Sequence, residues 1–298
     1  MRSGFVGIVG RPNVGKSTLL NSILGEKIAI TTEKPQTTRN TIRGIYTDLE
    51  KDGGIQMIFI DTPGIHKPRT KLGTFMTDAA IGTFREVDVI LFMVDSDPGS
   101  NPQDGYIMDI LAETDTPKIL VINKVDSMDP EDFRRIYTEC ESMDMFDQVS
   151  GISALEGTHV DELIEKVASY MGEGPMYYPE DQVSEEPIRS IAAEIIREKV
   201  LLYMSEEIPH GVAVQIESYE EEDDLTRIGA VIYCEKKSHK GMIIGKGGRK
   251  LKGIGKSARQ EIEALVGTKV FLETWVKVRE NWRDSDADLS RLGFRRET

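Results

Sequence analysis

The sequence predicts an α/β domain built on a doubly wound, mostly parallel sheet, followed by a smaller α+β domain. Three observations predict this order. Short unbroken apolar runs alternate with amphipathic stretches up to about residue 172, a glycine-rich loop follows the first run, and the rhythm changes after a stretch rich in Gly, Pro and acid. Unbroken apolar runs separated by helical patterns are typical of a parallel sheet covered on both faces.

Length and composition limit the class of protein. The chain has 298 residues, 39% of them hydrophobic, which is enough for two domains with separate cores. Its longest apolar run, residues 87–94, is interrupted by Asp88 and falls short of the roughly 20 apolar residues of a membrane span. We recognise no signal peptide, and Cys140 and Cys234 lack partners at ligand spacing. We therefore expect a cytoplasmic protein with inert thiols and no metal-binding cluster.

The first-half strands are predicted at residues 5–9, 57–60, 87–94, 118–122 and 149–152. Residues 172–187, GEGPMYYPEDQVSEEP, have no hydrophobic period and are typical of a linker. We predict a first domain at 1–172, a linker at 173–186, and a second domain with a C-terminal tail at 187–298.

The second half predicts the order α-β-β-α-β without internal repeats. Its predicted elements are a helix at 188–204, strands near 212–218 and 227–235, a helix near 250–265, and a strand at 270–278.

A phosphate-binding loop is indicated directly after the first strand, where residues 10–17 are GRPNVGKS. Gly10 and Gly15 allow backbone N–H groups to turn inward around phosphates. Lys16 reaches the β and γ phosphates, and the Ser17 hydroxyl suits Mg²⁺. A helix beginning at Ser17 adds the positive end of its dipole. The predicted nucleotide contacts here are Gly10, Arg11, Pro12, Asn13, Val14, Gly15, Lys16, Ser17 and Thr18.

The identity of the nucleotide base is predicted from NKVD, residues 123–126. This sequence follows a predicted strand, at the end where doubly wound sheets bind ligands. Asp126, expected to be buried, accepts both the ring N–H and the exocyclic amine of guanine, a pair of donors that adenine lacks. We expect Asn123 to brace the loop and the Lys124 stem to cover the base. The backbone of Ser153 and Ala154, in the short sequence ISA, is expected to reach the guanine oxygen.

A γ-phosphate contact is predicted from DTPG, which contributes Asp61, Thr62, Pro63 and Gly64 to the nucleotide site. Asp61 is placed to hold Mg²⁺ through a water, and the Gly64 N–H to meet the γ phosphate. Alone, this tetrapeptide is equally an ordinary turn. After GRPNVGKS and before NKVD, it indicates a nucleotide switch.

Positive charge is concentrated in one stretch of an acidic chain. The formal net charge is −14, yet residues 236–256 carry eight Lys or Arg and no acid. Within them, GKGG at 245–248 matches G-x-x-G, a weak pattern that also occurs at 4–7 and 7–10. Its context distinguishes it, because it follows an apolar MII, opens a helix and lies in an α-β-β-α-β series that resembles the KH module. That resemblance implies that the backbone and Lys246 approach nucleotide phosphates at the helix start. The basic surface comprises Lys236, Lys237, Lys240, Lys246, Arg249, Lys250, Lys252, Lys256 and Arg259.

These motifs resemble the translation-factor-related class of GTPases and, within it, the bacterial Era family across essentially the whole chain. QTTRN at 36–40, the glycine loop in its α-β-β-α-β series, and the tail sequences WVKVRENWR and LSRLGF narrow the resemblance to Era. It implies a P-loop GTPase domain followed by a type II KH domain, a module that binds single-stranded RNA.

The resemblance also implies residue roles. Thr38, with Thr37 as the alternative, closes on Mg²⁺ when GTP is bound, so Ser17, Thr38 and Asp61 are the expected magnesium ligands. The expected catalytic residues are Lys16, Thr38 and Gly64. The expected RNA contacts are Met242, Ile243, Ile244, Gly245, Lys246, Gly247, Gly248, Arg249 and Lys250, with at least one of the three apolar residues in the core.

Hydrolysis is expected to differ from that of many small GTPases. The residue after Gly64 is Ile65, where those proteins carry a glutamine that orients water. Asn13 is similar to the asparagine that holds K⁺ in potassium-activated relatives, and bracing of the loop is the alternative role. His66 is interpreted as structural rather than as a base.

The sequence thus predicts a GTP-hydrolysing switch that binds single-stranded RNA. By resemblance the RNA is the 3′ end of 16S rRNA, the role is 30S subunit assembly, and no DNA partner is expected. One alternative is an RNA-binding protein whose nucleotide is not turned over. Another is a membrane-associated division regulator, although no lipidation motif is evident; peripheral contact with the inner face of the membrane remains open.

Overall fold

The computed structural model describes residues 1–32, 34, 37–51, 53–204 and 211–294. The chain forms two compact units, and each contains more than one chain segment. The first comprises Met1–Ala29, Thr38–Arg69 and Gly73–Glu185, and the second comprises Ile30–Thr37, Thr70–Leu72 and Glu186–Thr298. Gln36 of the QTTRN sequence lies outside the described residues.

The first unit is built on one sheet with helices between its strands. The strands are β1 (Arg2–Val9), β2 (Ile42–Asp48), β3 (Ile55–Asp61), β4 (Val89–Val94), β5 (Lys118–Ile122), β6 (Gln148–Gly151) and β7 (Gly172–Glu173). The helices of this part of the chain are α1 (Lys16–Leu24), α2 (Lys71–Gly82), α3 (Pro102–Leu111), α4 (Pro130–Glu141) and α5 (Val160–Ala168).

The sheet is mostly parallel, as predicted, with the strand order β2-β3-β1-β4-β5-β6. β1 pairs in parallel with β3 and β4, and β5 pairs in parallel with β4 and β6. β2 runs antiparallel to β3, and the short β7 runs antiparallel to the start of β1. Strand β2 was not predicted because this edge strand is only partly buried and shows no continuous apolar run.

Alternate residues of the central strands enter two separate cores, one on each face of the sheet. In β4, Leu91 and Met93 belong to one buried cluster, whereas Ile90, Phe92 and Val94 belong to the other. Because side chains of a strand alternate between faces, an unbroken apolar run is what a sheet buried on both sides requires. The two-sided core fixes the strand ends, and the loops that follow those ends carry the predicted nucleotide motifs.

The segment predicted as a linker has partners of its own in the first unit. The buried Gln56 side chain accepts hydrogen bonds from the backbone N–H groups of Tyr177 and Tyr178 at 2.7 and 3.0 Å. It also donates to the Tyr178 carbonyl at 2.9 Å, and the Ile45 N–H donates to the Val183 carbonyl at 2.9 Å. The first unit therefore continues to Glu185 rather than ending at 172. Backbone pairing of this kind leaves no hydrophobic period in the sequence.

The second unit packs helices against one three-stranded sheet. Its elements are α6 (Ile188–Tyr203), β8 (Ala213–Glu222), β9 (Leu225–Cys234), α7 (Lys237–Ile244), α8 (Arg249–Val266), β10 (Lys269–Val278) and α9 (Asp286–Arg291). The strand order is β10-β9-β8, with β9 parallel to β10 and antiparallel to β8. Apolar residues of α6, α8 and the sheet form its core.

Two helices of the second unit were not predicted: α9, which follows β10 in the predicted tail, and α7. The order is therefore α-β-β-α-α-β-α rather than α-β-β-α-β. The short helix α7 lies between β9 and the glycine loop. Its sequence, KSHKGMII, has a glycine in its interior and too few apolar residues to show a helical period. The glycine loop consequently joins two helices instead of joining a strand to a helix.

The segment after β10 is anchored by one aromatic residue. The Trp282 side chain is fully buried, and its indole N–H donates to the Gly211 carbonyl at 3.0 Å. Phe294 stacks against it with ring centroids 6.1 Å apart. Among the described residues, no helix combines the length and the apolar character needed to span a membrane.

Candidate functional sites

The phosphate-binding loop joins β1 to α1 through a backbone that needs glycine. Gly15 has φ of 102°, in the left-handed region, and directly precedes α1. A Cβ at this position would lie 2.2 Å from the side-chain nitrogen of Asn123. The loop is therefore in close contact with the chain that follows β5, and this proximity brings two of the predicted motifs together.

Lys16 is buried inside the loop that precedes it. Only 6% of its surface is exposed, and its ammonium donates to the carbonyls of Gly10 and Arg11 at 3.2 and 3.1 Å. Burial lowers the pKa of Lys16 from 10.5 to about 8, and the Asp61 carboxylate offsets part of this shift. A charge held among carbonyl dipoles is suited to an anionic ligand.

Three oxygen-bearing side chains meet beside the first turn of α1. The Ser17 hydroxyl donates to an Asp61 carboxylate oxygen at 2.6 Å and lies 2.8 Å from the Thr38 hydroxyl, which is itself 3.3 Å from the same oxygen. The other carboxylate oxygen of Asp61 is buried and has no hydrogen-bond partner among the described residues. Burial raises the pKa of the Asp61 carboxyl, while Lys16 lowers it. The hydroxyl of Thr37 instead donates to the Lys34 carbonyl at 2.7 Å.

The loop after β3 approaches the phosphate-binding loop closely. A Cβ at Gly64 would lie 2.7 Å from the backbone nitrogen of Pro12, and the Ile65 N–H donates to the Gly10 carbonyl at 3.2 Å. The Ile65 side chain is fully buried in the core of the first unit. The Thr62 hydroxyl is also occupied, because it donates to the Ile8 carbonyl at 2.7 Å.

The NKVD loop is fixed by its asparagine. The Asn123 amide donates to the Val14 carbonyl at 2.8 Å and accepts from the Ala154 N–H at 2.9 Å, so it joins the loops that follow β1, β5 and β6. Ser153 is buried beside Ala154. Asp126 is exposed in the structure, so its carboxylate lies at the solvent side of the loop. Its burial, which was expected with a base in place, stays a prediction.

Arg11, predicted as a nucleotide contact, is engaged by residues that the sequence analysis missed. Its guanidinium pairs with Asp104 at 3.0 Å and with Asp95, and it lies 3.2 Å from the Ser96 hydroxyl. Asp95 directly follows the buried strand β4, as Asp61 ends β3. Its position directly after a predicted strand could have identified Asp95 as a candidate site residue. No feature of the sequence identifies Asp104 in this way.

In the second unit, the glycine loop forms a turn that residues with a Cβ rarely adopt. Gly245, Gly247 and Gly248 have φ of 71°, 61° and 73°. A Cβ at Gly245 would lie 2.7 Å from Lys250, whereas a Cβ at Gly247 or Gly248 would meet no atom of the described residues within 4 Å. The last two glycines therefore present open backbone at the start of α8.

A groove of about 550 Å³ begins at this loop and runs between α8 and β10. Its lining residues are Gly248, Leu251, Lys252, Gly255, Lys256, Arg259, Leu272 and Thr274. At least one of the three apolar residues was expected in the core, and Ile243 is fully buried there; Ile244 packs against that core, and Met242 is 51% exposed. Residues 248, 252, 255 and 259 are spaced three or four apart, as residues on one face of a helix are. This spacing in the sequence could have predicted that they line one wall of the groove.

Comparisons with known proteins agree across the chain. Residues 5–124 match the family model described as a 50S ribosome-binding GTPase, and residues 207–283 match the KH domain model. GTPase Era of Alkaliphilus oremlandii is 56% identical over 295 residues, which is 98% of this chain and 99% of that protein. GTPase Era of Clostridioides difficile is 52% identical over 296 residues, with 98% of each chain covered.

Two solved Era structures superpose on the chain, each covering 99% of both proteins at 39% identity. Era from Aquifex aeolicus, bound to GDP and AlF4⁻, gives a TM-score of 0.93. Era in complex with MgGDPNP and nucleotides 1506–1542 of 16S ribosomal RNA gives a TM-score of 0.94. The predicted fold class is confirmed, and the chain belongs to the Era family of GTPases, with a P-loop GTPase domain followed by a KH domain.

Proposed function

We propose that this protein binds and hydrolyses GTP and binds the single-stranded 3′ end of 16S rRNA during 30S subunit assembly. The observation that carries the proposal is the cluster of Ser17, Thr38 and Asp61 beside the buried Lys16, in a chain that also has a basic groove in its KH domain. The solved Era complex with a GTP analogue and 16S rRNA supports both halves of the proposal.

The phosphate groups are held by the loop between β1 and α1. Lys16 pairs with the β and γ phosphates, and backbone N–H groups between Asn13 and Thr18 donate to the remaining oxygens. Ser17, Thr38 and, through a water, Asp61 would hold Mg²⁺, which would neutralise phosphate charge. The buried orphan oxygen of Asp61 fits this role, because Mg²⁺ in nucleotide sites takes few protein oxygens and keeps its waters.

Guanine is selected by the loop after β5. Asn123 holds this loop against Val14 and Ala154, and Asp126 accepts two hydrogen bonds from the base. The N–H groups of Ser153 and Ala154, the expected donors to the guanine oxygen, already have acceptors: Ala154 donates to Asn123, and Ser153 donates to the Thr158 carbonyl at 3.1 Å. To serve the guanine oxygen, one of these N–H groups would have to exchange its acceptor for the base. Exposure of Asp126 is compatible with this role because the base itself covers the carboxylate on binding.

Hydrolysis depends on electrostatics rather than on a glutamine side chain. Ile65 is buried in the core and cannot orient water, so stabilisation of the developing phosphate charge falls to Lys16, the Gly64 N–H and the Thr38 backbone. Asn13 is exposed in the loop with φ of 69°. We propose that it would hold a K⁺ ion near the phosphates. Such an ion supplies the positive charge that an arginine finger supplies elsewhere.

RNA is held at the glycine loop and in the groove beside it. Open backbone at Gly247 and Gly248 lets phosphates approach the start of α8, and Lys252, Lys256 and Arg259 line one wall. Leu251 and Leu272 supply apolar surface for bases. A DNA partner is not expected, and peripheral contact with a membrane stays a prediction that vesicle sedimentation tests.

The guanine assignment predicts the effect of Asp126→Asn. An amide donor replaces an acceptor, so GTP affinity should fall by about ten- to a hundredfold, and xanthosine nucleotides should gain affinity because xanthine offers a carbonyl at that position. Calorimetry with GTP and XTP measures both. Asp144→Asn, at an exposed position, is the matched control. Unchanged GTP affinity in Asp126→Asn contradicts the assignment.

The potassium assignment predicts slow intrinsic hydrolysis that rises when Na⁺ is replaced by K⁺ at constant ionic strength. Asn13→Ala should abolish the rise while leaving GDP binding nearly unchanged, if the asparagine holds the ion rather than bracing the loop. Phosphate release is the measurement. Equal wild-type rates in both salts would exclude a role for K⁺, and absence of turnover with K⁺ and RNA present would favour the alternative of nucleotide binding without hydrolysis.

The RNA assignment predicts that Gly247→Asp with Gly248→Asp abolishes RNA binding, because two carboxylates then face the phosphates. The fold should persist, since neither Cβ meets a neighbour in the part of the chain that the structure describes, and Asp tolerates positive φ better than most residues. Filter binding of single-stranded RNA at two salt concentrations is the measurement, with circular dichroism as the check on folding.

The matched control for this charge effect is Gly247→Asn with Gly248→Asn, which adds similar bulk without charge. We expect intermediate RNA affinity for the Asn pair and unaltered GTP binding for both pairs, because the nucleotide residues precede the KH domain. Wild-type RNA affinity in a folded Asp pair would mean that the loop does not clamp RNA.

A further inference from the structure

Asp95 bridges two cations that belong to different loops of the nucleotide site. One of its carboxylate oxygens accepts from the Arg11 guanidinium, and the other accepts from the Lys124 ammonium at 2.7 Å. Arg11 lies in the phosphate-binding loop, and Lys124 lies in the loop that carries Asp126. The side chain of Asp95 is only 15% exposed, so the bridge is largely shielded from water.

Lys124 continues the bridge back to the phosphate-binding loop. Its ammonium donates to the backbone carbonyl of Asn13 at 2.9 Å as well as to Asp95. Lys124 also has φ of 65°, a left-handed conformation that is uncommon for a residue with a Cβ. The two hydrogen bonds of the ammonium therefore determine the orientation of a side chain that is otherwise 45% exposed.

Asp104 anchors the far end of the bridge. Its side chain is fully buried in α3, and one carboxylate oxygen accepts from the Arg11 Nε at 3.0 Å. Burial raises the pKa of the Asp104 carboxyl, and the Arg11 hydrogen bond offsets part of that shift. A buried carboxylate requires a charged partner, so Asp104 holds the guanidinium in one orientation. Arg11 is thereby directed to Asp95.

We propose that Asp95, oriented by Arg11 and Asp104, is a positioning residue for nucleotide binding that holds Lys124 across the phosphate-binding loop. The inference rests on the proposed guanine-nucleotide function of the same site. Lys124 covers the base only when its stem is held in place, and Asp95 supplies the fixed partner. The bridge ties the phosphate contacts to the base contacts, so that both are ordered before the ligand arrives.

The direction of the effect separates positioning from simple electrostatics. Asp95 contributes a negative charge near the site of an anionic ligand. If charge alone mattered, Asp95→Asn would remove repulsion and strengthen nucleotide binding. If Asp95 positions Lys124, the same change leaves the ammonium with a weaker partner and binding weakens. The two roles therefore predict opposite signs.

The test uses the full chain and fluorescent GDP, with affinity and dissociation rate as readouts. Asp95→Asn should weaken GDP binding and speed its dissociation by about tenfold, the effect of one charge-assisted hydrogen bond. Asp109→Asn, at an exposed position on the same helix as Asp104, also removes one negative charge and should not weaken binding. Asp95→Ser is a second variant in case the first does not fold.

A double-mutant cycle identifies the route of the effect. In a Lys124→Met background, Asp95→Asn should add almost no further loss of GDP affinity, because the side chain that it positions is absent. GDP binding by Asp95→Asn that equals or exceeds the wild type would overturn the inference, as would an equal loss in both backgrounds. Failure of the wild-type protein to bind GDP would instead remove the proposed function itself.

Discussion

Burial of the Lys16 ammonium is the constraint on which the nucleotide site depends. A buried cation is tolerated only with oxygen partners, and here the carbonyls of Gly10 and Arg11 turn inward to supply them. That turn requires a left-handed Gly15 and brings Asn123 against the loop. The same arrangement places Ser17 beside Asp61. The buried Lys16 ammonium therefore orders the site before phosphate binds, and the same ammonium then binds the phosphate.

The second unit carries a local basic surface in a chain that is acidic as a whole. The chain is strongly acidic, yet the groove wall formed by Lys252, Lys256 and Arg259 is basic and lies next to a loop of open glycine backbone. General acidity disfavours indiscriminate contact with nucleic acid, while one local surface favours it. Apolar side chains, including Leu251 and Leu272, share that surface and give bases a place beside the phosphates. The arrangement suits single strands better than a uniform duplex.

Local motifs were predictable from the sequence, whereas long-range partners were not. The strand-loop-helix at GRPNVGKS follows from glycine and lysine at fixed spacing, since backbone conformation limits which residues fit there. Arg11 was predicted as a nucleotide contact, but the pairing of its guanidinium with Asp95, 84 positions away, is recorded by no local pattern. At least one of Met242, Ile243 and Ile244 was expected in the core, and only the phase of α7 shows that Ile243 is that residue.

The central claim is that Lys16 is buried in the free protein with a lowered pKa. Proton uptake on GDP binding at pH 8 tests this claim most directly. With its pKa lowered by burial to about 8, Lys16 is partly neutral in the free protein, and phosphate favours the ammonium, so binding should take up a fraction of a proton. Affinity should accordingly fall as the pH rises above 8. Calorimetry in buffers of different ionisation enthalpy gives the proton count, and Lys16→Arg, which keeps the charge but does not titrate, is the reference. The account predicts uptake by the wild type in excess of that variant; GDP binding with equal proton counts would contradict it.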